Sequence, residues 1–176
     1  MLRSIHWNHW HLGFTNFKYL RLRGFVTKWD LRMKWENSLM AYKEDVKRRS
    51  WTDWLKAHTS GFKPLHRYEG VLELSDKELI FEGRDIREKV EFRLEIPLRK
   101  IREVHYGFDE VFRGREERAW PWNKPLRIKY QSEDGEKTIY LFARFHRKGG
   151  IIRASDNKEV YEKLRKLISE KESDNY

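Results

Sequence analysis

The chain has 176 residues, 38% of them charged and 15% aromatic, with no cysteine and a formal net charge of +10. The aromatic share argues against a disordered chain, the missing cysteine excludes disulfides, thiolate metal sites and a cysteine nucleophile, and no apolar run approaches the roughly 18–20 residues that span a bilayer. The first residues lack the continuous apolar stretch of a signal peptide, so the expectation is a cytoplasmic protein.

The charge is uneven. Residues 1–65 hold 13 Lys/Arg against 5 Asp/Glu and carry six of the eight tryptophans, whereas residues 66–176 are nearly balanced, with 25 against 23. His6, His9 and His11 open the chain, but no single helix or strand presents all three to one ion, so no metal or other cofactor is expected. Residues 14–26 interleave Phe14, Phe17, Leu20, Leu22 and Phe25 with Lys18, Arg21 and Arg23, which suits an edge strand or an irregular packed segment equally. Next, Leu31, Trp35, Leu39, Tyr42 and Val46 recur at three and four residues, the period of a helix over about 28–48. Thr27 and Asp30 resemble its capping box, and Lys47, Arg48 and Arg49 lie in its last turn, where cations suit the C-terminal dipole. A second helix is expected over about 51–58, with Trp51, Trp54 and Leu55 on one face, before Gly61 and Pro64 punctuate a linker.

Two readings stand for this basic, Trp-rich segment, residues 1–62. Its apolar stripes pack on the rest of the chain or on a second copy, giving a homo-oligomer. Alternatively, its Trp and Lys/Arg residues meet an anionic membrane or nucleic acid.

Residues 63–176 read as a separate β domain. Tyr68–Leu74 and Glu78–Gly83 form strands around the turn Ser75-Asp76-Lys77, and the charged run Arg84–Lys89, interrupted only by Ile86, reads as a solvated connection. Val90, Phe92, Leu94 and Ile96 alternate strictly with charged residues, as in a half-buried antiparallel strand that Pro97 ends. A further strand covers Ile101–Gly107, where His105 reads as a structural histidine. The loop Phe108–Lys124 gathers Arg113, Arg115, Arg118 and Lys124 beside Trp120 and Trp122, which suits a phosphate, nucleic-acid or protein contact, or a loop anchored by its tryptophans. Pro125–Gln131 and Lys137–Ala143 form a hairpin around Asp134-Gly135. Ile151-Ile152-Arg153 is a minimal seventh strand, and a helix over 157–170, capped by Asp156 with Glu159, buries Val160, Leu164, Leu167 and Ile168.

The segments Gly70-Val71-Leu72-Glu73-Leu74-Ser75-Asp76-Lys77-Glu78-Leu79-Ile80-Phe81, Ile96-Pro97-Leu98-Arg99-Lys100-Ile101, Pro125-Leu126-Arg127-Ile128-Lys129-Tyr130 and Asn157-Lys158-Glu159-Val160-Tyr161 resemble, in order and spacing, those of prokaryotic pleckstrin-homology-like domains, including the GRAM-like group, over residues 66–170. The resemblance implies an α+β, mainly β fold: a partly open barrel of two antiparallel sheets capped by the C-terminal helix. It also implies binding of lipid headgroups or protein partners without catalysis. Phosphoinositide-binding members carry basic residues around the loop joining their first two strands. Here that loop is only Ser75-Asp76-Lys77, flanked by Glu73 and Glu78, and Lys77 alone is a poor phosphate cradle, so specific phosphoinositide binding is not expected there. No phosphate loop or hydrolase motif is present in the sequence, so no enzyme is expected. The expected function is a binding or scaffolding module, peripheral at an anionic membrane or on a protein partner, with nucleic-acid binding as the alternative. Its candidate contacts are Arg113, Arg115, Arg118, Trp120, Trp122, Lys124, Lys47, Arg48 and Arg49.

Overall fold

A computed structural model describes residues 32–48, 63–113, 123–148 and 152–173. The main body is a seven-stranded antiparallel sheet followed by a C-terminal helix, an α+β and mainly β architecture. The strands are β1 (Met33–Tyr42), β2 (Tyr68–Leu74), β3 (Glu78–Asp85), β4 (Glu91–Pro97), β5 (Ile101–Tyr106), β6 (Leu126–Ser132) and β7 (Gly135–Phe142). A short helix α1 (Lys43–Lys47) follows β1, and α2 (Asn157–Ser173) closes the chain. Strand order is β4-β3-β2-β1-β7-β6-β5, so hydrogen bonding runs through all seven strands as one sheet, in place of the expected two.

The helix expected over 28–48 is therefore not what its described part forms: Met33–Tyr42 is the middle strand of the sheet, and only Lys43–Lys47 is helical. The physical reason is a β-bulge. The pairing of β1 with β2 shifts register between Trp35 and Ser38, where Asn37 takes a positive φ of 52°, a conformation that asparagine tolerates. The extra residue breaks the period of two, so Met33 and Trp35 point inward before the bulge, and Ser38, Met40 and Tyr42 after it. Beyond the bulge the opposite face is buried as well, by Leu39 and Ala41. Trp35, Leu39, Tyr42 and Val46 thus match a helical spacing while lying on two faces of a strand and on the helix after it. Residues 33–48 belong to the sheet and its margin rather than to a separate segment before residue 63. The helix expected over 51–58, the histidines of residues 1–11 and the segment 14–26 lie outside the described residues.

Polar groups hold the bulge. Ser38 is fully buried; its hydroxyl donates to the Trp35 carbonyl at 2.8 Å and accepts the Arg144 amide at 3.1 Å. Arg144, just after β7, also donates from its side chain to the Lys34 carbonyl and pairs with Asp156 at 3.1 Å. Buried Asn157 makes the adjoining tie: its Oδ1 accepts the Ala143 amide, and its Nδ2 donates to the carbonyls of Leu141 and Lys124. The expected capping carboxylates are engaged elsewhere, Asp156 on Arg144 and Glu159 on Lys163.

Inward residues of all seven strands meet in one cluster, among them Trp35, Met40, Leu72, Phe81, Ile96, Ile101, Ile128 and Leu141. The sheet must curl to bring them together. Gly70 and Gly83 stand opposite each other on β2 and β3, and a Cβ on Gly70 would lie 2.1 Å from the Glu82 carbonyl oxygen, so the curl requires bare backbone there. From α2, Val160 and Leu164 complete the core, with Leu167 and Ile168 partly buried beside them, as the helical stripe predicts. The hairpins at 68–83 and 126–142 also follow the sequence, and Gly135 takes a φ of 112° at the second turn. The expected seventh strand near 151–153 is instead Ile152–Ala154 (β9), paired with His146–Lys148 (β8) in a separate two-stranded ribbon.

Replacing Ser38 by alanine strands the Trp35 carbonyl and the Arg144 amide inside the protein. The expected loss is about 1–3 kcal/mol in urea unfolding; a change below about 0.5 kcal/mol, the usual effect of an inconsequential surface substitution, shows that the hydroxyl does not hold the bulge.

Candidate functional site

Placing β1 at Met33–Tyr42 changes which connection joins the first two described strands. That connection is residues 43–67, not Ser75-Asp76-Lys77, and it carries seven Lys/Arg against three Asp/Glu. The Ser75–Lys77 turn joins β2 to β3 and is closed by Ser75, whose hydroxyl accepts the amides of Lys77 and Glu78.

The described parts of this connection gather around one guanidinium. Arg67 donates from Nε to Asp85 at 2.7 Å, from Nη1 to Asp45 at 3.1 Å and from Nη2 to Glu88 at 2.7 Å. Asp45 belongs to α1 and accepts the Tyr42 amide; Asp85 ends β3; Glu88 lies in the β3–β4 turn. One side chain therefore fastens α1, the approach to β2 and the β3–β4 turn into one end of the sheet. Burial pushes the Asp85 carboxyl upward, but the amides of Arg87 and Glu88 and the Arg67 guanidinium outweigh it and hold it below the ordinary carboxylate range. Burial also lowers Arg67, yet its hydrogen bonds to Asp45 and Asp85 leave it firmly charged.

The structure departs from the sequence pattern here at two places. Arg84–Lys89 is not wholly a solvated connection, since Asp85 is buried within β3. Val90 does not begin the inward row of β4, which starts at Glu91; it is 52% exposed, and Ile86 is 42% exposed. The half-buried rows of β4 are Phe92 and Leu94, with Ile96 buried. On the other side of Arg67, Glu69 Oε1 meets Lys63 at 2.6 Å and His66 at 2.8 Å. The hydrogen bond from His66 is the main cause that holds Glu69 down to about 2; burial opposes it and Lys63 reinforces it. An open groove of about 470 Å³ lies beside the β1 bulge, walled by Leu39, Val71 and Phe145, with the paired Lys63 and Glu69 on its rim.

Of the residues singled out from the sequence, Lys47 and Arg48 lie exposed at the end of α1, and Arg49 lies outside the described residues. Arg113 is exposed, with its Nε donating to the Glu110 carbonyl, and Lys124 is exposed beside the Asn157 tie. Arg115, Arg118, Trp120 and Trp122 lie outside the described residues. The first part of their loop is fastened to the outer face of the sheet. Phe112 is fully buried, with ring centroids 5.2 Å from Tyr140 and 5.6 Å from Phe142. Asp109 accepts the amides of Val111 and Phe112, the Arg127 guanidinium at 2.7 Å and the Tyr140 hydroxyl at 2.9 Å. Burial raises the Asp109 carboxyl and these donors more than offset it. Arg127 also meets Glu103, which Lys129 holds from the other side at 2.6 Å. Val46 of α1 joins the same buried outer cluster as Phe112, so Lys47 and Arg113 each follow in sequence a residue of that cluster.

Among the described residues no three His, Cys, Asp or Glu side chains are grouped to hold a metal ion, and no helix is long and apolar enough to cross a membrane. His105 lies half-buried on β5, its Nε2 2.8 Å from where a Cβ on Gly107 would stand. Compared with known proteins, the chain matches no family model and no curated protein.

Sequence reading passes over Arg67, Asp85 and Asp45, which are three ordinary charges until the fold brings them together. Ile86 carries the one local signal, as a lone aliphatic residue in a charged run.

Replacing Arg67 by methionine leaves Asp85 buried without its cation. The expected cost is about 3–5 kcal/mol at neutral pH. Asp85 has a depressed pKa in the folded protein, so the stability from its ionised form is present above the ordinary value of about 3.9 and is lost as pH falls through the folded one. The penalty of Arg67→Met therefore shrinks as pH drops below about 4. Urea unfolding of both proteins across pH 3–7 measures it, and a pH-independent difference means that Asp85 is not the group left stranded.

Proposed function

We propose that this chain is a non-catalytic binding module of the pleckstrin-homology-like kind, a partly open barrel with a helical cap, that docks peripherally on an anionic membrane surface. The single observation that carries this reading is the connection between the first two described strands, 43–67, with seven Lys/Arg against three Asp/Glu. Seven antiparallel strands followed by one helix accord with the resemblance carried by the motifs at 70–81, 96–101, 125–130 and 157–161. Lys47 and Arg48 are exposed at the end of α1, and a cation beside a leaflet rich in acidic lipid is worth about 1 kcal/mol each. The cations inside the Arg67 and Arg127 networks are neutralised by their own carboxylates. The surface contribution therefore comes from side chains such as Lys47 and Arg48.

Sedimentation with phosphatidylcholine vesicles, with and without phosphatidylserine, tests the reading. Binding is expected only with phosphatidylserine. It should weaken steeply as salt rises and fall at least about tenfold in a Lys47→Glu/Arg48→Glu variant. Absence of sedimentation at low salt rejects the membrane reading. A gel shift on single-stranded RNA or duplex DNA in that case replaces it with nucleic-acid binding through residues 1–62 and the Arg/Trp loop, whose salt slope counts the phosphates engaged.

A further inference from the structure

We propose that the β3–β4 turn, Asp85–Val90, is an interfacial anchor: Ile86 and Val90 enter the boundary between headgroups and acyl chains of an anionic lipid surface, while the cations around them meet the headgroups. This rests on the membrane reading above and names the part of the protein that enters the lipid.

Among the described residues, the exposed large hydrophobic side chains are Ile86 and Val90, and both stand on one turn at one end of the sheet. Arg84, Arg87 and Lys89 alternate with them in sequence. Glu88, the acidic residue at the tip, is held by Arg67, and Glu91 stands opposite Arg84 in the β3–β4 register. Aliphatic side chains set among cations are the pattern of a segment that lies in a membrane interface.

The turn is also rigid. The Asp85 carboxylate accepts the amides of Arg87 at 2.8 Å and Glu88 at 3.2 Å, and the Asp85 carbonyl accepts the Lys89 amide at 2.8 Å. Asp85 donates its own amide to the Val90 carbonyl at 3.0 Å, and Ile86 donates to the Arg67 carbonyl at 2.9 Å. Lys89 takes a φ of 59°, in the left-handed region where glycine or asparagine is usual. The two aliphatic side chains are thus presented by a preformed frame, and insertion requires little further ordering. Arg67 ties that frame to Asp45 of α1, the helix that ends in the exposed Lys47 and Arg48.

A protein partner is the weaker occupant. A specific protein interface buries roughly 800 Å² on each side around a central apolar anchor, which two aliphatic side chains in a ring of charge do not provide. A lipid interface asks for less, because it accepts any apolar group at the right depth and any cation above it.

The chain has no cysteine, so Ile86→Cys and Val90→Cys each create a unique site for an environment-sensitive dye, with Glu162→Cys on the exposed face of α2 as control. With phosphatidylserine-containing vesicles, emission from positions 86 and 90 should shift to the blue and rise several-fold, and emission from 162 should stay constant. The unlabelled Ile86→Glu/Val90→Glu variant should lose about 10- to 100-fold in partitioning onto the same vesicles. If wild-type protein sediments with these vesicles while both dyes stay unmoved and the double variant binds as well as wild type, the anchor is overturned and the membrane reading survives. If the wild type does not sediment at all, both fall. A misfolded double variant leaves the dye measurement to decide.

Discussion

The arrangement of this protein depends on one strand being paired along both edges. β1 pairs with β2 from Met33 to Met40, across the bulge, and with β7 over its last four residues, so it joins the two halves of the sheet. The bulge at Glu36–Asn37 lets it serve both. Before the bulge its inward side chains face one part of the core, and after it they face another while the outer side also becomes buried. Ser38 and Arg144 satisfy the backbone groups that the bulge would otherwise leave without partners in a dry place. Without that satisfaction the kink would cost as much as a core cavity, and a straight β1 would turn half of its inward row to the wrong face.

Burial at both faces of β1 has a second effect. Leu39 and Ala41 need a cover on the outer side, and two elements supply it: α1, through Val46, and the start of the loop after β5, through Phe112. Both are held by carboxylate hubs rather than by long apolar stripes. Asp45 draws α1 to Arg67, and Asp109 draws the loop to Arg127 and Tyr140. In each hub the acid is compensated by a guanidinium and by backbone amides, that of Tyr42 at Asp45 and two at each of Asp85 and Asp109, so ionised groups remain stable beneath the surface. Positive charge elsewhere on these elements is left to face outward.

Much of the fold is legible in the residues. Strict alternation marks β6 and most of β4, turn chemistry marks both hairpins, and the Val160–Leu164–Leu167–Ile168 stripe marks α2. Each of these signals is local, needing only neighbours along the chain. The central strand was not legible for a physical reason: a bulge combined with burial on two faces imitates a 3.6-residue period, and no window of sequence distinguishes them without the partner strands. The same limit hid the carboxylates around Arg67, which are eighteen to twenty-two residues away from it. Of the candidate contacts, Lys47, Arg48, Arg113 and Lys124 are exposed, as their residue types suggest.

With β1 at Met33–Tyr42, the identity of every later described loop shifts by one. Counted from Tyr68, the loop between the first two strands is a three-residue turn with one lysine. Counted from Met33, it is a long basic connection whose described ends are fastened beside the β3–β4 turn by a single arginine. Arg67 spends its charge on three carboxylates, and in doing so it ties α1, which ends in Lys47 and Arg48, to the turn that carries Ile86 and Val90. Electrostatic attraction to a leaflet falls off within about 8–10 Å at physiological salt, whereas apolar insertion acts only on contact. In the proposed reading the two act in sequence at one end of the sheet: the charges bring that end to the surface, and the aliphatic pair lengthens its stay.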